Sequence, residues 1–210
     1  MTDTLQGVVF TDDALIVFDK PAGLPSVPGK LLELHDCAAS RIQAIWPDAL
    51  VVHRLDMATS GLLLFARGLA MQRALSRAFE RREVGKTYVA VAHGLVAPTL
   101  VQIDLPLAAD WPNRPRQRVD VQQGKPALTH VSIVAHDPAA AQTRVLLRPA
   151  TGRTHQLRVH LAALGHPIVG DALYGPATPA ACRLLLHASQ LELTHPQSGE
   201  RVLYSSLPRF

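Results

Sequence analysis

Residues 50–67, LVVHRLDMATSGLLLFAR, contain two short β-rich segments separated by a polar turn. The segments LVVHRLD and GLLLFAR are rich in the branched and aromatic side chains that strands favour, and MATS between them is typical of a turn. Polar residues therefore cluster where an apolar run ends, which is where folded proteins often place functional groups. Asp56 is the acidic residue of this cluster, although an aspartate at such a position is also a common turn or helix-cap residue.

The flanking sequence adds further short strands and a few helices. Residues 7–23 predict a strand, a turn and a strand; residues 31–46 predict a helix that stops at Pro47, and residues 70–82 a second helix. Further strands are predicted by KTYVAVAHG, TLVQIDLP, ALTHVSIVAH, TRVLLRP and two runs in the tail, and THQLRVHLAALG predicts a helix. Because strands and helices do not alternate strictly, we expect an α+β fold with a mixed, mostly antiparallel sheet flanked by helices. The chain has 210 residues, 48% of them hydrophobic, and we expect one domain over residues 1–210.

The sequence lacks the patterns of membrane and secreted proteins. No run approaches the roughly 18 uninterrupted apolar residues of a membrane helix. The first ten residues, MTDTLQGVVF, lack the basic region, apolar core and cleavage site of a signal peptide. We therefore expect a cytoplasmic protein that does not contact a membrane.

Metal and nucleotide motifs are also missing. The two cysteines, Cys37 and Cys182, are far apart and have no ligand spacing around them, so we expect buried thiols and no metal. Residues 23–30, GLPSVPGK, differ from a phosphate-binding loop in two ways. Five residues instead of four separate the first glycine from the GK, and Leu31 stands where a Ser or Thr is required. The sequence contains neither GxGxxG nor GxSxG, which argues against dinucleotide binding and serine hydrolysis.

The basic residues favour a polyanionic partner. The net charge is +4, and of 21 basic residues only four are lysines. The planar fork of arginine suits phosphate and base recognition better than the point charge of lysine. On the predicted helix at residues 70–82, Arg73, Arg77 and Arg81 recur at every fourth position and form a stripe, which is either a solvated face or a face that follows RNA phosphates.

Three segments resemble consecutive signature segments of the RluA family of pseudouridine synthases. They are HRLDMATSGLLLFA, KTYVAVAHG and TGRTHQLRVHLAALGHPIVGDALYG, and the stretches DKPAG and HASQLELTHPQSG match as well. The resemblance covers nearly the whole chain and implies the pseudouridine synthase catalytic fold, with a catalytic cleft on its sheet and no cofactor. The segments SVPGK and DWPNRPRQ are similar to the corresponding segments of short family members, which modify both tRNA and large-subunit ribosomal RNA. The implied substrates are a tRNA anticodon stem-loop, a 23S ribosomal RNA hairpin, or both.

The resemblance also implies roles for individual residues. Asp56 corresponds to the family's nucleophile, and Arg153 to the cation that compensates the charge of that carboxylate. Tyr88 corresponds to the active-site tyrosine, which could stack on the target base and relay a proton. Arg54 corresponds to the arginine that fills the place of the base that has left the RNA stack. We interpret the neighbouring His53 as a support for the turn.

Many family members carry an additional N-terminal RNA-binding domain of the S4 type. Here the catalytic strand pattern begins within the first ten residues, so we expect no such domain. The catalytic domain would then bind RNA unaided, as a monomer. This favours phosphate contacts by the stripe of Arg73, Arg77 and Arg81, and by the DWPNRPRQRV segment with Arg114, Arg116 and Arg118.

Two other functions are compatible with parts of the sequence. A glycoside-bond hydrolase would use Asp56 with a second carboxylate such as Asp171 or Glu80, since it also acts at an anomeric carbon. No second acid lies close to Asp56 in the signature segments, and release of free uracil would identify such an enzyme. A non-catalytic RNA-binding module would be expected to have lost the catalytic groups, whereas Asp56, Tyr88 and Arg153 are all present.

Overall fold

The structure is a computed structural model that describes residues 6–29, 35–176 and 183–210. The chain divides into two compact units. The first comprises residues 1–86 and 187–209, and the second comprises residues 87–186 with residue 210. The expectation of a single domain stays a prediction.

The described residues form twelve strands and three α-helices. In chain order they are β1 (Val8–Thr11), β2 (Leu15–Lys20), α1 (Ala38–Gln43), β3 (Ala49–Val51), β4 (Ser60–Arg67), α2 (Gly68–Glu80), β5 (Gly85–His93), β6 (Gln102–Asp104), β7 (Leu107–Ala109), β8 (Gln117–Val119), β9 (Leu128–Asp137), β10 (Gln142–Pro149), α3 (Gln156–Ala163), β11 (Leu186–Thr194) and β12 (Arg201–Ser205).

The sheet of the first unit is built around β4. This strand pairs antiparallel with β2 and β3 and parallel with β11, while β1 pairs with β2 and β12 with β11. The parallel contact joins Gly61 to Ala188, where φ of Gly61 is +110° and a Cβ would collide with the Ala188 backbone. Only glycine tolerates both constraints, so Gly61 permits the close approach of β11 directly after the Asp56 segment.

The core of the first unit lies between this sheet and α2. Leu62 and Leu64 alternate along β4 and pack with Leu75 of α2, while Met71 and Phe79 of the same helix cover the cluster. Of the predicted arginine stripe, Arg73 and Arg77 are exposed on α2, and Arg81 is exposed directly after it. The apolar residues of the predicted strand and of the predicted helix thus lie in the same core.

The second unit contains further antiparallel strands. β10 pairs with both β5 and β9, and β6 pairs with β9. β7 and β8 form a two-stranded hairpin whose Leu107 packs with Val159 of α3 and with Tyr174. Together, the mostly antiparallel pairing, the parallel β4–β11 contact and the three helices confirm the α+β prediction.

Two local predictions were wrong in extent. The helix predicted at residues 31–46 occupies only Ala38–Gln43, because Cys37 caps its first turn by accepting a hydrogen bond from the Ser40 N–H. Residues 31–34 lie outside the described part of the chain. The strand predicted from LVVHRLD ends at Val51, so Asp56 lies in an irregular segment. Cys37 is buried and free as expected, whereas Cys182 lies outside the described residues.

No helix among the described residues has the length and apolar character needed to cross a lipid bilayer.

Candidate active site

Asp56 lies half-buried in the irregular segment that joins β3 to β4. The turn after it is closed through the main chain, since the Asp56 carbonyl accepts a hydrogen bond of 3.0 Å from the Thr59 N–H. The turn predicted from MATS is therefore present.

Both residues next to Asp56 are held by the loop that follows β2. The Ser26 hydroxyl donates to the Leu55 carbonyl at 2.7 Å and accepts from the Leu55 N–H at 3.0 Å. On the other side, the Met57 carbonyl accepts from the Gly23 N–H at 2.8 Å. The backbone of Asp56 is thus fixed between two anchored residues, which is the kind of preorganisation that a reactive side chain requires.

Lys20 is a functional candidate that the sequence reasoning missed. Its ammonium is fully buried at the end of β2 and donates to the carbonyls of Pro21, Leu24 and Met57, at 2.9, 2.7 and 3.1 Å. Burial lowers the pKa of Lys20 to about 8, and the charge of Asp56 acts in the opposite direction. The carboxylate of Asp56 therefore lies in the field of a buried cation. The available signal was the lysine of DKPAG, a stretch that the family resemblance included without a role for this residue.

His53 supports the segment as interpreted from the sequence. Its Nε2 accepts a hydrogen bond of 3.0 Å from the Leu64 N–H, and its ring stacks on Phe79 with a centroid distance of 4.6 Å. Burial, with a smaller effect from the charge of Lys86, lowers the pKa of His53 to about 3. The ring is therefore neutral at physiological pH, and it joins the Asp56 segment to β4 and α2.

The predicted RNA-binding arginines of the first unit are all exposed. These residues are Arg54, Arg73, Arg77 and Arg81. None of the four forms an ion pair with another described residue. Arg54 precedes Asp56 by two residues, Arg73 and Arg77 lie on α2, and Arg81 is the residue directly after this helix. Exposed guanidinium groups without acidic partners retain their capacity to bind phosphates.

Tyr88 and Arg153 belong to the second unit. Tyr88 is half-buried on β5 opposite Leu147 of β10. Arg153 precedes α3, and its Nε donates to the Pro126 carbonyl at 3.1 Å. The predicted roles of these two residues towards Asp56 stay predictions.

A second residue missed from the sequence, Gln156, organises the Arg153 turn. Its buried Oε1 accepts from the Thr151 hydroxyl at 2.7 Å and from the Arg153 N–H at 3.0 Å. Its Nε2 donates to the Leu128 carbonyl and the Thr129 hydroxyl, both at 3.0 Å. The amide thus uses two donors and two acceptor positions, which a carboxylate or a hydrocarbon could not reproduce.

Arg158 forms a buried ion pair with Asp171. Its Nε and Nη2 each donate to one carboxylate oxygen at 2.7 Å, and the Arg158 side chain is only 5% exposed. Asp171 also accepts from the backbone N–H groups of Leu173 and Tyr174. Burial raises the pKa of Asp171, but the hydrogen bonds and charge of Arg158 outweigh it and hold the pKa below its usual range. An ionised carboxylate cannot act as a general acid, which argues against Asp171 as the second acid of a hydrolase.

The predicted RNA-binding arginines of the second unit lie between β7 and β8. Arg114 and Arg116 are exposed, with guanidinium carbons 3.5 Å from the Trp111 ring centroid and 5.4 Å from the Tyr174 ring centroid, respectively. Arg118, which the sequence grouped with them, instead bonds to Asp120 at 3.0 Å. A cation neutralised in this way is a weaker candidate for a phosphate contact.

Comparisons with known proteins agree on one family. A family model described as RNA pseudouridylate synthase matches residues 14–163. The dual-specificity RNA pseudouridine synthase RluA of Escherichia coli O6:H1 is 50% identical over 202 residues, covering 95% of this chain and 91% of that protein. The protein of the same name from Yersinia pestis is 48% identical over 194 residues, covering 91% of this chain and 94% of that protein. The solved structure of human RNA pseudouridylate synthase domain containing 1 matches with a TM-score of 0.80 at 31% identity, covering 97% of this chain and 84% of that one.

Proposed function

Because this chain belongs to the RNA pseudouridylate synthase family, it is an isomerase of uridine in RNA, and we propose that Asp56 is its nucleophile. We also propose that it modifies specific uridines in a tRNA anticodon stem-loop, a 23S ribosomal RNA hairpin, or both. Two RNA classes would agree with the dual specificity in the names of its relatives. The observation that carries the assignment of Asp56 is the anchoring of Leu55 and Met57 on either side of it.

The reaction explains why a carboxylate is required. The bond from ribose C1′ to N1 breaks, the uracil turns, and C1′ joins C5, which then loses its hydrogen as a proton. No redox change occurs, so the residues need supply only a nucleophile or base and a proton relay. An ionised Asp56 could add to C6, attack C1′ or remove a proton from the ribose, and all three routes make it essential.

We assign the compensating positive charge to Arg153. A carboxylate in a site that excludes water has a raised pKa unless a cation replaces the lost hydration. Lys20 supplies part of that field. Arg158 is a second candidate for the role of Arg153, because it is buried and Asp171 orients its guanidinium rigidly. Tyr88 would stack on the target base and relay the proton from C5.

RNA binding is assigned to the exposed arginines. Arg54 would fill the place of the flipped base, whose removal from the stack costs a few kcal/mol. The phosphate contacts are assigned to the remaining residues of this group, Arg73, Arg77, Arg81, Arg114 and Arg116. We further propose a monomer of one catalytic domain that acts in the cytoplasm, where tRNA and ribosomes are found.

The decisive experiment is tritium release from RNA labelled at uracil C5, with wild type compared to Asp56→Asn. This substitution keeps the shape of the side chain and removes its charge, so we expect a loss of roughly a thousandfold or more. Asp36→Asn is a matched control, since Asp36 is exposed and forms an exposed ion pair with Arg41. Full activity of the Asp56→Asn protein would refute the assignment.

The same reactions separate the competing functions. Free uracil among the products would indicate a glycoside-bond hydrolase, and RNA binding by wild type without any tritium release would indicate a binding module. Mapping of pseudouridine in tRNA and 23S ribosomal RNA from a deletion strain would identify the targets.

A further inference from the structure

The hairpin formed by β7 and β8 carries an exposed aromatic residue at its tip. We call residues 110–116, DWPNRPR, the hairpin tip. Trp111 opens a short 3-10 turn there, and 68% of its surface is exposed to solvent. A single exposed apolar residue is common on protein surfaces, and its exposure alone does not indicate a binding site.

The indole of Trp111 is covered on one side by an arginine. The guanidinium carbon of Arg114 lies 3.5 Å from the Trp111 ring centroid, the spacing of two stacked planar groups. Because Trp111 remains 68% exposed despite this contact, its accessible surface lies mainly on the opposite face and the ring edge. Arg114 thus holds one face of the ring and leaves the other available.

The tip is held in shape by its own hydrogen bonds. The N–H of Asp110 donates to the Arg116 carbonyl, that of Asn113 to the Asp110 carbonyl, and that of Arg116 to the Asn113 carbonyl, each at 3.0 Å. The Asn113 amide also donates to the Asp110 carboxylate at 3.0 Å. A partner that binds this surface would therefore pay little of the conformational entropy that ordering a flexible loop costs.

The hairpin is also anchored next to α3. The Gln117 N–H, at the start of β8, donates to the Tyr174 hydroxyl at 2.7 Å. The same hydroxyl lies 2.7 Å from Nδ1 of His155, the residue directly before α3. The tip is thus fixed relative to the turn that contains Arg153.

The charge of the tip restricts the chemistry of its partner. Asp110, its single acidic residue, is bonded to Asn113, while the guanidinium groups of Arg114 and Arg116 lie over aromatic rings. The surface therefore combines an available aromatic face with two cations that lack acidic partners within the described residues. An unpaired nucleotide offers the complement of both features, since its base stacks on aromatic rings and its phosphate attracts guanidinium groups.

We propose that Trp111, supported by Arg114, is a stacking platform for an unpaired base of the RNA substrate, other than the base that is isomerised. The proposal rests on the proposed function in that it takes RNA as the partner. Stacking of one base on an aromatic side chain changes affinity by about 1–3 kcal/mol on substitution by alanine, which corresponds to about 5- to 150-fold in Kd.

The chain offers a direct test because Trp46 and Trp111 are its only two tryptophans. In a Trp46→Phe protein, all tryptophan emission comes from Trp111. We expect titration with an unmodified tRNA anticodon stem-loop to quench this emission. In the matched Trp111→Phe protein, the emission of Trp46 should not change.

Affinity measurements separate stacking from charge. Trp111→Ala should weaken binding at least fivefold with an unchanged salt dependence, whereas Trp111→Phe, which keeps a ring, should lose less affinity. Arg114→Ala should reduce the slope of log K against log salt concentration by about 1, as expected for one lost phosphate contact. Thermal denaturation verifies that each variant is folded.

The proposal is overturned if RNA leaves the Trp111 emission unchanged, or if Trp111→Ala binds within twofold of wild type. Emission that shifts only with anionic phospholipid vesicles or with another protein would assign the surface to that partner instead. Pseudouridine formation by the Trp46→Phe protein, without quenching of its emission by RNA, refutes only the platform. Quenching and weakened binding without pseudouridine formation support the platform and refute the proposed function.

Discussion

Replacing Lys20 by methionine tests whether the buried ammonium positions Asp56. The side chain keeps its length, but the carbonyls of Pro21, Leu24 and Met57 lose their donor. A buried acceptor left unpaired costs about 1–3 kcal/mol. The opposing gain is that an ammonium no longer has to be buried. A fall in pKa from 10.5 to about 8 puts this gain at about 3 kcal/mol.

The cost applies to each of the three carbonyls, so that together it exceeds the gain. The balance predicts a net destabilisation of about 3 kcal/mol for Lys20→Met. The catalytic rate should fall as well, because the Met57 carbonyl next to Asp56 loses one of its anchors. A shift of about 1 Å in a reacting group can cost about a hundredfold in rate. We therefore expect single-turnover tritium release to fall about a hundredfold, with urea denaturation measuring the loss of stability.

The pH dependence gives a second, independent signature of Lys20. Its pKa is about 8 in the folded protein and near 10.5 when unfolded, so between these values the unfolded chain binds more protons. Wild-type stability should therefore receive from Lys20 a contribution that rises by about 3 kcal/mol between pH 8 and pH 10.5, and Lys20→Met should lack this rise. Activity that depends on the charged ammonium should decline as pH rises through about 8.

Lys125→Met is the matched control, since Lys125 is exposed and its hydrogen bonds with Leu107 involve only the backbone. A Lys20→Met protein with a rate within twofold of wild type and an unchanged pH dependence of stability would refute the positioning role.

Four further substitutions test the remaining assignments. Gln156→Glu removes both amide donors of a buried side chain and should destabilise the protein by about 2–3 kcal/mol, with a lower rate of tritium release; a melting temperature equal to wild type would contradict this. Arg153→Ala should keep the fold and abolish turnover, and near-normal activity of this variant would transfer the role of Arg153 to another cation. Arg158→Ala should instead lower the stability by about 3–5 kcal/mol, because it leaves the buried charge of Asp171 unpaired. Arg54→Ala should weaken productive RNA binding, so that tight binding with unchanged turnover would count against it.

The sequence alone determined the fold class, the family and the candidate nucleophile. Alternating apolar residues in GLLLFAR and the helical spacing around Leu75 predicted a strand and a helix that do pack on each other. Such patterns are local, because side-chain direction repeats every 2 residues in a strand and every 3.6 in a helix. The position of Asp56 after an apolar run, together with the resemblance of its segment to known signatures, likewise required no three-dimensional information.

Only the tertiary structure identified the groups that hold the site. Lys20 bonds to Met57, 37 positions later, and Gln156 bonds to Leu128, 28 positions earlier. Neither contact has a periodic signature, since a buried polar side chain is defined by the carbonyls and hydroxyls that other segments bring to it. The start of the first helix at Ala38 differs from these cases, because it depends on a local cap in which Cys37 accepts a hydrogen bond from the Ser40 N–H. Local periodicity specifies which face of an element is buried, whereas the pairing of buried polar groups is decided only when distant segments meet.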